Sequence, residues 1–173
     1  MNGASKTVSV IQGDYAVSAD PAVMMSTVLG SCVAVCLYDP VKGVGGMNHF
    51  LLATSQDANT RDLKYGINAM ELLINRMLRA GAERANLHAK LFGGARMTDH
   101  AKDIGKGNAI FAEDFLQKEG IPCISASLGG DMARRVQFIP TTGAARQMQI
   151  AGAAPEERVP RRITAPAPDI TLF

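Results

Sequence analysis

The chain has no tryptophan, and tyrosine and phenylalanine are few, so aromatic residues make up only 5% of its 173 positions. So sparse an aromatic content argues against a surface that works by stacking nucleic-acid bases. Cysteine is scarce too, and three is an odd number, which does not build a disulfide framework. No sign of charge dominates: 18 basic residues stand against 16 acidic ones, for a formal net charge of +2. A strong field for nucleic acid or a lipid surface is therefore missing. No apolar run approaches the roughly 18 residues that span a bilayer, and the opening MNGASKTVSV lacks the apolar core of a signal peptide. Together these absences lead to the expectation of a cytoplasmic protein with no nucleic-acid partner and no direct membrane insertion. What is present is a chain that is 47% hydrophobic, enough for a single substantial core and nothing that suggests two.

Periodicity supplies the elements. Leu63, Ile67, Met70, Leu73, Ile74 and Met77 recur at helical spacing and predict a helix over 61–79, with Asn59 or Thr60 as cap and Gly81 as stop. A second helix is expected to follow Gly105-Lys106-Gly107-Asn108 and run to about Lys118, before Gly120. Strands are expected at 8–11, at 31–38 with a return arm after Gly43, at 86–92, near 121–126, and in a hairpin with arms at 135–139 and 144–150. His88 and Lys90 share one face of their strand, and a solvated sheet face is the expectation for them. Strands outnumber helices, which gives an α+β fold, a layered sandwich of mainly antiparallel sheet with one or two long packed helices. Residues 1–150 read as one domain. The remainder, 151–173, carries Pro155, Pro160, Pro166 and Pro168 among alanines and offsetting charges, the composition of a flexible tail.

The segment from Leu29 to Leu52, LGSCVAVCLYDPVKGVGGMNHFLL, concentrates the chemistry. Its first half is an apolar run that stops at Asp39-Pro40, and Gly43 closes a turn. If Leu37 faces Val44 across the hairpin, Cys32 lies opposite His49. Directly opposed residues of antiparallel strands project to the same face, so the inference depends on the register. A thiol attacks as thiolate, and an imidazole beside it can take its proton. A lone cysteine and a lone histidine more often pack in a core, so the pairing alone does not establish catalysis. Gly30, Gly45 and Gly46 allow close backbone approach around the pair. Cys32, Cys36, Cys123 and His49 lack the C-x-x-C knuckle of structural zinc sites. No metal or other cofactor is expected, and Cys36 and Cys123 are assigned to the core. The glycines ahead of the second helix fit neither G-x-x-x-x-G-K-[ST] nor G-x-G-x-x-G, so nucleotide binding is not indicated.

The stretches GDYAVS (13–18), LGSCVAVCLYDP, GGMNHFLL, KLFGGARM (90–97), IGKGN (104–108) and GGDMARRVQFIPTTG, taken in order over positions 8 to 150, resemble CheD, a family of bacterial chemoreceptor glutamine deamidases. The resemblance implies a cysteine hydrolase. It would convert particular glutamines in the cytoplasmic domains of methyl-accepting chemotaxis proteins to glutamate, and in some members also hydrolyse glutamyl methyl esters. It implies that Cys32 is the nucleophile and His49 the catalytic histidine. The family's third residue is a threonine six positions before the cysteine; that position holds Ser26 here and Thr27 follows it, so Ser26 is expected to orient the histidine, with Thr27 as the fallback. Backbone N–H groups around Gly30 and Ser31 would stabilise the oxyanion on the way to a thioester. The family's proline after the histidine strand is replaced by Ala53, and the arginine of its IGxRN motif by Gly107. The resemblance also allows a binding role toward CheC, a phosphatase of the response regulator CheY, as the alternative to catalysis.

Overall fold

The structure, a computed structural model, describes residues 6–52, 60–98, 102–151 and 170–173. Among the described residues, ten strands form two five-stranded sheets. The first runs in the order β1 (Lys6–Ser9), β3 (Val23–Leu29), β8 (Ala133–Phe138), β9 (Ala145–Ile150) and β10 (Ile170–Leu172). The second runs β2 (Tyr15–Ser18), β5 (Val44–Asn48), β4 (Val33–Asp39), β6 (His88–Gly93) and β7 (Cys123–Leu128). Pairing is antiparallel except between β1 and β3 and between β6 and β7. Helices α1 (Thr60–Arg79) and α2 (Lys102–Glu119) lie against the second sheet, α1 on β2 and β5, α2 on β4, β6 and β7. The result is the expected α+β layered sandwich, in the order sheet, sheet, helices. Among the described residues no helix is long and apolar enough to cross a membrane.

This layering explains the burial of β4, which has no exposed position. Val33, Val35 and Leu37 point toward the helices and pack with Met70, Leu73, Met77 and Leu116. Cys32, Ala34 and Cys36 point the other way, into the space between the sheets, with Met25, Phe92 and Phe138. A strand covered on both faces reads as an unbroken apolar run, whereas β3, covered on one, alternates buried and half-buried residues. Helix α1 follows its predicted span and buries Met70, Leu73, Ile74 and Met77, but Leu63 is 44% exposed. Asn59, one of its two expected caps, lies outside the described residues, as do the side chain of Thr60 and most of the expected tail.

Several expectations are corrected. The glycines at 105 and 107 lie inside α2, not ahead of it. Gly105 is where the helix meets the 94–95 backbone: a Cβ there would fall 2.4 Å from the Ala95 carbonyl oxygen. The β4–β5 hairpin is offset by two residues from the expected register, with Leu37 opposite Gly46 and Val33 opposite Phe50. A two-residue slip preserves the faces, so Cys32 and His49 still share one, diagonally and not directly opposed. Cys123 is exposed on edge strand β7 and outside the core. Lys90 is buried, not on a solvated face, because the first sheet covers it; its Nζ donates to the carbonyl oxygens of Gly143 at 2.7 Å and Phe173 at 2.8 Å. The last four residues, expected as part of a flexible tail, are drawn onto the body. Ile170–Leu172 pairs with β9, and Phe173 sets its ring edge-on to Phe92.

Candidate active site

The chain passes between the sheets at 10–14, linking β1 to β2, and again at 30–32, linking β3 to β4. These crossings meet the end of β5 at His49. The main chain of His49 is pinned to the first crossing, its N–H donating to Asp14 O at 3.1 Å and its C=O accepting from Gly13 N at 2.8 Å. Gly13 has φ +90°, a turn conformation that suits glycine.

The His49 ring is buried and its Nδ1 lies 2.8 Å from Thr27 Oγ1 and 3.2 Å from Val10 O. Thr27 Oγ1 donates to that same carbonyl at 2.6 Å. A hydroxyl has one proton and a carbonyl only accepts. With the Thr27 proton committed to Val10 O, the contact between Nδ1 and Oγ1 is satisfied when Nδ1 carries a proton and donates. The opposite arrangement would leave two oxygens facing each other at 2.6 Å with no hydrogen between them. The ring is thereby held as the Nδ1–H tautomer, with Nε2 as its basic nitrogen.

Thr27, and not Ser26, makes this contact. The two alternate across β3, Thr27 on the buried face with Met25 and Leu29, Ser26 half-buried on the other. The expectation for Ser26 is corrected accordingly; the pleat of a strand separates neighbours that look interchangeable in sequence. A sequence signal exists, since Val23, Met25, Thr27 and Leu29 recur at period two, but β2 and β3 are absent from the strands expected above.

The loop carrying Cys32 is clamped from behind. Gly30 O accepts from Ala95 N at 2.9 Å and Cys32 O from Gly94 N at 2.8 Å. Ser31 O accepts from Asn108 Nδ2 at 2.9 Å. Asn108 is fully buried, and its Oδ1 accepts from Leu52 N at 2.8 Å, so one side chain ties the Cys32 loop to the chain just beyond His49. In a trans peptide the N–H points opposite the preceding C=O. Fixing the Gly30 and Ser31 carbonyls toward Ala95 and Asn108 therefore turns the N–H groups of Ser31 and Cys32 the other way. Gly93, φ +115°, leaves no room for a side chain, since a Cβ would sit 2.1 Å from Cys32 O.

Cys32 has no exposed surface, and its thiol donates to Gln12 Oε1 at 3.8 Å. Gln12 in turn lines a cleft of about 530 Å³, together with Ser26, Thr27, His49 and Arg135. Burial pushes the Cys36 thiol far above its ordinary range against the opposing charge of Lys90, which leaves Cys36 a core residue. Among the described residues no three His, Cys, Asp or Glu side chains cluster as metal ligands. Sequence reasoning missed Gln12 and Asn108, whose partners lie 20 and 77 positions away; neither carries a local signal.

A family model described as CheD chemotactic sensory transduction matches residues 51–149. A protein of Ruegeria sp. named "Probable chemoreceptor glutamine deamidase CheD 1" is 50% identical over 98% of this chain and 96% of its own. This chain belongs to the CheD family. An Agrobacterium fabrum relative named "Probable chemoreceptor glutamine deamidase CheD" is 49% identical over 100% of this chain and 99% of its own. Among solved structures, the hypothetical protein YfiH of Bacillus licheniformis aligns over 66% of this chain and 50% of its own at 19% identity, with a TM-score of 0.44, too loose a likeness to carry weight. The family-model match begins after Cys32 and His49, but the alignments with the two CheD relatives extend through both.

Proposed function

We propose that this CheD chain is a chemoreceptor glutamine deamidase in which Cys32 attacks, His49 moves the proton and Thr27 orients His49. The observation that carries the reading is the Val10–Thr27–His49 chain of hydrogen bonds. It commits Nδ1 as donor and makes Nε2 the nitrogen that accepts the thiol proton, the role an orienting group plays in other triads. The names of the relatives supply the substrate class.

In the proposed sequence His49 Nε2 takes the Cys32 proton, and the thiolate adds to the side-chain carbonyl carbon of a receptor glutamine. The N–H groups of Ser31 and Cys32, turned away from their clamps, receive the oxyanion. His49 returns the proton to nitrogen, ammonia leaves and a thioester remains. Water, deprotonated by His49, then adds to the thioester and releases glutamate and the thiol. A glutamyl methyl ester presents the same acyl group with methanol as leaving group, so the same site accepts it.

The test is peptide mass spectrometry of a receptor signalling domain incubated with the wild-type protein and with Cys32→Ala. The expected result is a gain of about 1 Da at specific glutamines with the wild type alone, as amide nitrogen is exchanged for oxygen through the acyl-enzyme. Conversion by Cys32→Ala at the wild-type rate overturns the assignment.

A further inference from the structure

We infer that Gln12 is a gate over Cys32: its carboxamide holds the thiol with the functional group that a substrate glutamine brings, and substrate enters by taking its place. The inference rests on the reading of Cys32 as nucleophile and adds to it a residue that decides what reaches the sulfur.

Three observations meet at this side chain. Cys32 is 0% exposed although it belongs to the site, so something must move before a protein substrate reaches it. Its Sγ–H donates to Gln12 Oε1 at 3.8 Å. Gln12 itself is exposed and lines the cleft onto which Thr27 and His49 also open. The carboxamide thus stands between solvent and sulfur.

The backbone around it does not supply the motion. Val10 N–H donates to Ser26 O at 2.9 Å, Asp14 N–H to Ile11 O at 2.9 Å, and Gly13 N–H to His49 O at 2.8 Å. Flexing this loop would pull on His49. The side chain of Gln12, in contrast, is held at the sulfur by one long hydrogen bond to a thiol and turns about its own torsions. A thiol is a weak donor, so this contact contributes at most the roughly 1 kcal/mol of a typical neutral hydrogen bond, and the open state costs little.

The exchange also selects. A carboxamide or an ester brings a carbonyl oxygen for the N–H groups of Ser31 and Cys32 as Gln12 withdraws. An apolar side chain offers those donors nothing. Among the described residues lining the cleft, His49 and Arg135 are ionisable, and the test is therefore run at one pH for all variants.

The experiment is peptide-resolved alkylation of Cys32 by iodoacetamide in wild type, Gln12→Ala and Gln12→Glu, with the KM for a receptor signalling domain measured alongside. Reading the Cys32 peptide alone removes interference from the exposed Cys123. Gln12→Ala is expected to alkylate faster than wild type, by up to about fivefold, the factor that loss of one neutral hydrogen bond gives, and to show a lower KM. Gln12→Glu, which keeps an acceptor at the same reach, is expected to alkylate no faster than wild type. Alkylation of Gln12→Ala at or below the wild-type rate overturns the gate, as does recovery of Gln12 as glutamate from the wild-type protein, which would make it a substrate. Failure of the nucleophile reading registers elsewhere, in a Cys32→Ala protein that still deamidates.

Discussion

At the scale of single residues, the site turns on which of two adjacent hydroxyls faces inward. Thr27→Val keeps the shape of the side chain and removes the proton that caps Val10 O and the oxygen that receives Nδ1–H. Deamidation should fall at least about 10²-fold, the range general-base contributions span, with stability lowered by about 1–3 kcal/mol for the buried groups left unpaired. Thr27→Ser, which keeps the hydroxyl, should restore most of the activity, and Ser26→Ala should stay within about twofold of wild type because Thr27, not Ser26, bonds His49. Rates of receptor deamidation and chemical denaturation of the four proteins check this. A second residue gives a pH signature. Burial works to raise the Asp39 carboxyl, but donors from Glu83, Lys42, Asn86 and Val41 outweigh it and hold the group below its ordinary value of 3.8. A carboxylate depressed in the folded state contributes stability that is complete above its unfolded value and is lost as pH falls through the folded one. Asp39→Asn should therefore be less stable than wild type at neutral pH, and the gap should close below about pH 4, as read by denaturant titration at a series of pH values.

At the scale of elements, the two glycines of IGKGN make opposite predictions although they stand two positions apart on α2. Gly105→Ala drives a methyl into the Ala95 and Gly94 carbonyl oxygens, and since those two residues donate to the Gly30 and Cys32 carbonyls, the damage should reach the site. At Gly107 a methyl would meet nothing within 4 Å, so Gly107→Ala should stabilise the helix by about 0.5–1 kcal/mol. Thermal melts and deamidation rates of the two variants separate the cases. The same pair shows what sequence conveys at this scale. Helix α1 was legible because its apolar residues repeat at one period over many turns. The start of α2 was not, because glycine reads locally as a breaker while its reason for being in the helix is a backbone 10 positions earlier. Strand β4 was legible as an apolar run, but its partner's register depends on hydrogen bonds that the alternation of residue types fixes only to within two positions.

At the scale of the whole molecule, the layered α+β architecture followed from counting strands against helices, but the roles of the ends did not. Lys90 read as a surface residue because its cover comes from residues 143 and 173, and nothing near it in the chain announces that. Phe173, edge-on to Phe92 with its N–H donating to Ala145 O at 2.9 Å, closes the same end of the space between the sheets. Phe173→Ala should lower stability by about 1–3 kcal/mol, or several degrees in melting temperature for a domain of this size. The size of the drop in a calorimetric melt measures how far this last strand belongs to the fold. Candidate chemistry was visible early because cysteine and histidine are rare and reactive; the residues in contact with them or with their loops, Thr27, Asn108 and Gln12, are of common types whose meaning is spatial.

The clamps behind the Cys32 loop have a temporal consequence. Val10, Thr27, Cys32 and His49 have all left the ribosome once residue 52 has emerged, but the donors that fix the three loop carbonyls come from residues 94, 95 and 108. A nascent chain that pairs β4 with β5 early holds a cysteine and a histidine on one face while the peptide N–H groups between Gly30 and Cys32 remain free to turn. On the proposed mechanism, hydrolytic power is then a property acquired late in synthesis, when α2 docks, and a half-made chain would move among its neighbours with its thiol unarmed.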